Sequence, residues 1–313
     1  MRYIFQKTIL FTATLALSLP GFSAPPKVLV SIKPLQMITA AITSGVTEPE
    51  LLLQPGTSPH DYSMKPSDVR KIANADFVFW IGEDLERFLE KPLNRFSSAS
   101  SVLAVMDAPG VKVRKLSEKE DKHGDEHAGH NAHEGHDHGN HDPHIWLEPD
   151  NALAIAKTIT RSLQAGDKEH ADIYQLNLYQ FEEQLKAVNL KNQQILKPIS
   201  DRGFFTFHDA WGYFTNHYNL KVAGVFTISP EIQPGARHIA EIRQKIKTEG
   251  NTCIFREPQF KPAYLDNVIN GLNVRVAELD PLATYLPSDP MSYPRFLEAI
   301  ALKISACLTT PAQ

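Results

Sequence analysis

The chain has 313 residues, with 32 lysines and arginines against 36 aspartates and glutamates, 13 histidines, two cysteines and a formal net charge of −4. That length is enough for two domains of ordinary size. No basic patch and no interleaving of basic and aromatic residues points to a nucleic-acid partner, and no CxxC pair offers a zinc or redox motif of that spacing. The histidines are left to be explained.

At the start of the chain, Arg2 and Lys7 frame a basic opening, Ile9 to Leu19 is apolar, and Gly21, Ser23 and Ala24 make a small-residue exit. This is the pattern of a secretory signal peptide over residues 1–23, with an apolar run too short to span a membrane. Cleavage is expected after Ser23 and, as second choice, after Ala24. No cysteine lies near the exit, so no lipid anchor is expected. The mature chain is read as a monomer exported to the periplasm. Losing two bases and no acid leaves it 30 bases against 36 acids. In an oxidising compartment Cys253 and Cys307 either pair or stay as two buried thiols, and the compartment favours the pair.

Lys27 to Ile32 then reads as a buried strand, Leu35 to Ile42 as a helix stopped at Gly45, and Leu51 to Leu53 as a strand. The turn-rich Gln54-Pro55-Gly56-Thr57-Ser58-Pro59 delivers His60. Lys65 to Ala73 is a short helix opened by Pro66, Phe77 to Ile81 a strand, Leu85 to Phe96 a helix, and Ser101 to Met106 a fourth strand. Such alternation predicts a parallel sheet covered by helices.

From about 117 to 141 the composition changes. His123, His127, His130, His133, His136, His138 and His141 are separated by Gly, Asp, Glu, Asn and two alanines, with almost nothing apolar to bury. The stretch is expected to be a disordered loop. Imidazole is the commonest side-chain ligand for divalent transition metals, and interspersed carboxylates concentrate cations, so the loop reads as a secondary metal-binding segment. The plainer alternative is a low-complexity, solubilising loop. His144 differs from these seven. In Asp142-Pro143-His144-Ile145-Trp146-Leu147 the chain turns apolar, and proline with its apolar neighbours predicts a rigid seat.

Asp150 is the expected N-cap of a helix through Leu163. A second helix runs from near Asp167 to about Leu196, with Ile173, Leu176, Tyr179, Leu185 and Val188 as its apolar stripe and Pro198 as terminator. At about 30 residues it reaches roughly 45 Å, and it reads as a rigid connector (166–197) outside either core. Beyond it come strands Phe204 to Phe207, Val222 to Phe226, Cys253 to Phe255 and Val274 to Leu279, alternating with helices from Ala210, Ala236 to Lys247, Ala263 to Asn270 and Tyr293 to Cys307. The expected architecture is α/β: two lobes (24–165 and 198–313), each a mostly parallel sheet flanked by helices, joined by one long backbone helix.

Open α/β sheets bind ligands beyond the carboxyl ends of their strands. His60, His144, His208 and Asp280 stand at such places. Zinc takes about four nitrogen, sulfur or oxygen donors in a tetrahedron, so three histidines with a carboxylate or a water would complete it. Each of the three histidines has an acid beside it (Asp61, Asp142, Asp209) to orient the ring, and an aromatic residue (Tyr62, Trp146, Trp211). Asp209 has the simpler alternative of capping the next helix. His170, His217 and His238 lie on helices without such company and read as surface or packing residues.

The segments Leu53 to Asp68, Asp142 to Leu147, Phe207 to Phe214, Pro230 to Gly235, Glu257 to Phe260 and Leu279 to Leu282 together resemble the metal-specific solute-binding proteins of ABC importers, in their periplasmic zinc-uptake branch. The resemblance implies two lobes on a backbone helix, zinc in the interlobe cleft, His60, His144 and His208 as ligands, and delivery to an inner-membrane permease with a cytoplasmic ATPase. It also implies a disulfide between Cys253 and Cys307. Some relatives carry a glutamate immediately before the first ligand, where this chain has Pro59, so Asp280 or a water is expected as the fourth donor. Manganese-binding relatives use a glutamate in the place of His208.

Three imidazoles suit zinc better than manganese, and a manganese or iron carrier of the same cluster is the second reading. A three-histidine zinc hydrolase is a third. No HExxH helix supports it, since His133-Glu134-Gly135-His136 has the wrong spacing. If the loop is auxiliary, deleting Lys122 to His141 leaves one tight zinc site and removes only weaker binding. Calorimetry in which the tight site disappears with the loop would refute that division.

Overall fold

The computed structural model describes residues 24–96, 101–115, 141–250, 252–260 and 263–310. The signal-peptide reading of residues 1–23 and the expectation for His123, His127, His130, His133, His136 and His138 lie outside the described residues. In chain order come β1 (Val28–Val30), α1 (Lys33–Thr43), β2 (Glu50–Leu51), α2 (Pro66–Asn74), β3 (Phe77–Trp80), α3 (Glu83–Phe96) and β4 (Ser101–Ala104). A 3-10 turn, Ile145–Leu147, leads to α4 (Pro149–Gly166) and then α5 (Ala171–Leu196). There follow β5 (Phe204–His208), α6 (Gly212–His217), β6 (Val222–Thr227), α7 (Ala236–Glu249), β7 (Thr252–Arg256), α8 (Ala263–Ile269), β8 (Val274–Glu278) and α9 (Ser292–Thr309).

Each lobe holds a four-stranded, wholly parallel sheet, ordered β2-β1-β3-β4 in the first and β6-β5-β7-β8 in the second. Parallel neighbours need crossovers, and the helices supply them. The two orders are the same, so each sheet reverses its winding between its first and third strands. The crevice at that reversal is where such sheets take ligands. In the second sheet it lies between β5 and β7, beside His208 at the end of β5 and Glu257 directly after β7. In the first sheet Glu86 sits there, fully buried, with its Oε2 accepting the Ile81 N–H at 2.8 Å. Burial pushes the Glu86 carboxyl up to about 7. The first lobe's ligand candidates come instead from the loop after β2 and the segment before α4.

Strand alternation sorts the second sheet's side chains onto two faces. Phe205, Phe207 and Ile254 pack with Ile242 and Ile246 of α7 and Leu265 and Val268 of α8. Phe204, Cys253 and Phe255 face the other way, into a core that continues through α5 and α9 to the first sheet. The long helix is therefore part of that shared core, packed against α1, α4 and α9, and not a connector outside it.

Its apolar stripe also corrects the expectation. Leu185 and Val188 are buried, but Ile173, Leu176 and Tyr179 are 38%, 56% and 62% exposed, and Tyr174, Leu178 and Phe181 are buried in their place. The true stripe contains a polar residue, Asn177, whose Nδ2 donates to the carbonyls of Ile42 and Ser44 at 2.8 Å each. These are carbonyls at the end of α1 that have no helical partner. An asparagine serving another helix hides the stripe from a reading of apolar spacing. The helix starts at Ala171, because Asp167 closes α4 and accepts from His170 Nδ1 (2.8 Å) and Tyr174 Oη (2.7 Å). Glu148 is the N-cap of α4, and Asp150 lies in its first turn, where a negative charge still suits the helix dipole.

Cys253 on β7 and Cys307 on α9 form a disulfide, with Cα atoms 6.1 Å apart and a sequence separation of 54. A loop of that length stabilises the fold by about 4 kcal/mol in the chain-entropy model. Replacing both cysteines by alanine is expected to lower the unfolding free energy by roughly 2–5 kcal/mol. Urea melts with the same midpoint for the two proteins would contradict this.

Candidate metal centre

His60 comes from the loop after β2, His144 from the segment that turns into Ile145–Leu147, and His208 is the last residue of β5. Their ring centroids are 5.3 Å (His60 to His144), 5.6 Å (His60 to His208) and 5.0 Å (His144 to His208) apart. One ligating atom of each lies within 4.8 Å of the other two. His144 and His208 are 4% and 2% exposed, and His60 is half-buried.

Carboxylates behind the rings fix their orientation. Asp142 Oδ1 accepts from His144 Nδ1 at 2.8 Å and from the His144 N–H at 3.0 Å, while Glu257 Oε1 accepts from His208 Nδ1 at 2.6 Å. Each bond assigns the hydrogen of the neutral ring to Nδ1 and leaves Nε2 as a lone pair. Those two Nε2 atoms face each other at 3.2 Å. Two lone pairs at that distance repel unless a proton or a cation lies against both. Zinc bonded to nitrogen at 2.0–2.1 Å in a tetrahedron separates its ligands by about 3.4 Å, so the pair is already spaced as two corners of such a site.

Burial holds the His60 imidazole well below 6.5, and the nearby His144 and His208 lower it further. For His208, burial also pulls downward, but Glu257, then Asp142 and Asp209, more than reverse it and its pKa stands above 6.5. The rings close, with Trp146, Glu257 and Phe260, around a cavity of about 10 Å³. That is room for about one water-sized occupant.

Asp280 stands at the carboxyl end of β8, where the sequence placed it, but outside the group of three. Its Oδ1 accepts from the Leu282 N–H (2.9 Å) and Gln259 Nε2 (2.7 Å), and its Oδ2 from the Thr284 N–H (2.6 Å). A short side chain at the start of a turn captures the turn's own backbone. That organises the loop after β8 and leaves the expected fourth donor engaged elsewhere.

Of the three acids expected behind the rings, Asp142 holds that place, while Asp61 is exposed. Glu257, not the adjacent Asp209, binds the His208 ring. The signals for Glu257 were its place directly after a strand and in one of the segments that carry the resemblance, and neither states that it meets His208, which depends on β5 and β7 being neighbours. Trp146 lies 5.3 Å from the His144 ring, and its Nε1 donates to the Pro281 carbonyl at 2.8 Å, seating the His144 segment against the second lobe. Phe260, 6.1 Å from the His208 ring, is the aromatic neighbour expected of Trp211, and Tyr62 packs on Phe88.

The other histidines among the described residues have partners that sequence did not show. His141, counted with the loop, forms an antiparallel bridge with Lys115, and its Nδ1 is 3.3 Å from Asp84. It is thus held by described residues of the first lobe. His170 pairs with Asp167, and His238 Nε2 meets the Val225 carbonyl at 3.0 Å. His217 lies between Glu148 Oε1 (2.5 Å) and Asn189 Oδ1 (2.8 Å), and with Glu148 and Asp150 it makes the second group of ligating atoms found among the described residues. There a ring hydrogen bridges His217 and Glu148, so the contact is satisfied as a hydrogen bond tying α6 to α4. In the cleft two acceptors face each other.

The family of periplasmic zinc-uptake complex component A, ZnuA, matches residues 28–307. The chain is 39% identical to the high-affinity zinc uptake system protein ZnuA of Yersinia pestis over 311 residues, which cover 96% of this chain and 97% of that one. It is 40% identical to the protein of the same name from Haemophilus ducreyi over 313 residues, or 98% and 100% of the two. A ZnuA crystal structure matches with a TM-score of 0.75 at 26% identity, covering 91% of this chain and all of that one. A ZnuA deletion mutant with zinc bound gives the same score and identity over 92% and 99%. The chain belongs to the ZnuA family of periplasmic zinc-uptake components.

Proposed function

We propose that this protein captures Zn²⁺ between its lobes through His60, His144 and His208, with a water as the fourth ligand, and passes it to an inner-membrane zinc permease with a cytoplasmic ATPase. It acts in the periplasm after loss of residues 1–23. The observation that carries the reading is the pair of buried Nε2 atoms 3.2 Å apart, each with its ring hydrogen committed to a carboxylate. His60 and His144 belong to the first lobe and His208 to the second, so the full ligand set exists only while the lobes face each other. Moving one lobe away removes a ligand and frees the ion for transfer.

Manganese prefers carboxylate and water oxygens, and three imidazoles disfavour it. The hydrolase reading needs room for an organic substrate beside the metal, and the cavity of about 10 Å³ does not give it. The stretch from His123 to His141 is assigned a secondary, weaker role in collecting zinc.

Titration against competing chelators is expected to show one tight site in the intact protein, weakened by at least an order of magnitude in each of His60→Ala, His144→Ala and His208→Ala. The pH dependence has a definite sign. Zinc needs deprotonated rings, and the raised pKa of His208 means that its proton begins to compete above pH 6.5. Affinity should fall about tenfold per pH unit for each proton displaced as pH drops from 7 to 5. An affinity flat across that range, or unchanged in the triple alanine variant, would contradict the site.

A further inference from the structure

Asp142, which orients His144, is fully buried, and a carboxylate in that position needs each oxygen met. Oδ1 is taken by His144. Oδ2 accepts from Arg114 Nη1 at 2.6 Å. Arg114 and Asp142 are also joined through the backbone, since the Asp142 N–H donates to the Arg114 carbonyl at 2.8 Å. The hydroxyl of Tyr213, on α6, accepts the Arg114 N–H and donates to the Asp142 carbonyl, both at 2.8 Å.

The guanidinium itself reaches the second lobe. Its carbon lies 5.5 Å from the centroid of the Tyr213 ring. It also occupies the space of a side chain at position 212, because a Cβ placed on Gly212 would come within 1.3 Å of Arg114 Nη1. Gly212 has no left-handed backbone to require a glycine. The missing side chain makes the passage for the guanidinium. Arginine suits this place because its planar group binds a carboxylate along one edge while its face rests on an aromatic ring.

We infer that Arg114 is a positioning residue for the metal centre: its guanidinium pins Asp142, and Asp142 holds the His144 ring with Nε2 turned to the ion. The inference rests on the zinc reading above. Arg114 touches neither the cavity nor a ligand ring. It acts through Asp142, and residues 212 and 213 of the second lobe keep it in place. The aim of a first-lobe ligand is thereby set by contacts that exist only when the second lobe is seated.

Three variants separate this role from a general effect on folding. Arg114→Gln removes the charge, Arg114→Lys keeps a charge without the planar fork, and Gly212→Ala pushes aside the free end of the Arg114 side chain while leaving the residue in the chain. Circular dichroism of the metal-free proteins checks that each is folded. By chelator competition, zinc affinity is expected to fall about 10–100-fold in Arg114→Gln and Gly212→Ala, the usual effect of losing an outer partner of a ligand, with part of it recovered in Arg114→Lys. In a His144→Ala background there is no ring left to aim, and Arg114→Gln should cause no further loss. Wild-type affinity in folded Arg114→Gln and Gly212→Ala overturns the inference, as does an equal loss with and without His144. If His144→Ala alone binds zinc as tightly as wild type, the zinc reading fails and this inference falls with it.

Discussion

Two imidazole lone pairs, buried and turned toward each other, are the constraint on which the rest of the structure depends. Left without a positive charge the arrangement is repulsive, and a water in the small cavity can donate to both only by orienting both of its hydrogens. The carboxylates of Asp142 and Glu257 keep the rings from turning away, because turning either ring would abandon a buried acceptor. The site is thus preorganised for a cation, at the expense of holding donors together that would otherwise separate.

The scaffold makes that preorganisation affordable. His208 and Glu257 sit at the carboxyl ends of adjacent parallel strands, where backbone pairing fixes their separation. His144 has no strand to hold it and is fixed by side chains: Trp146 bonded to the Pro281 carbonyl, the Tyr293 hydroxyl donating to the Trp146 carbonyl at 2.6 Å, and the Asp142–Arg114 pair. Most of these contacts reach across to the second lobe. Because α5 packs with helices of both lobes and one core runs through it, the relative placement of the lobes is a property of packing as well as of the bound ion. His60, carried on a loop and half-buried, is the ligand candidate with the least support and the nearest to solvent.

What was legible in the sequence follows from range along the chain. Alternating strands and helices, the long helix itself, His60 and His208 after strands and His144 where the composition turns apolar all write themselves in local pattern, and the three histidines could be found that way. Asp280 was expected as a fourth donor, with water as the alternative, because its position resembles theirs; that its oxygens accept from backbone two and four residues away and from Gln259 is a matter of turn geometry and of a neighbouring loop. Glu257 was passed over as a ring partner because its use depends on strand order, which no local pattern states. Asn177 and His217 show the same limit. One is a polar residue in a buried stripe and the other a histidine between two acceptors, and both acquire their roles from helices distant in sequence.

The site as proposed has three imidazoles sharing one zinc ion. Zinc K-edge X-ray absorption on protein carrying one equivalent of metal, with residues 122–140 removed so that the other histidines there do not contribute, addresses it directly. The expected first shell is three imidazole nitrogens at about 2.0–2.1 Å with one further light atom. A first shell of carboxylate oxygens, or one with fewer than three imidazoles, would contradict it.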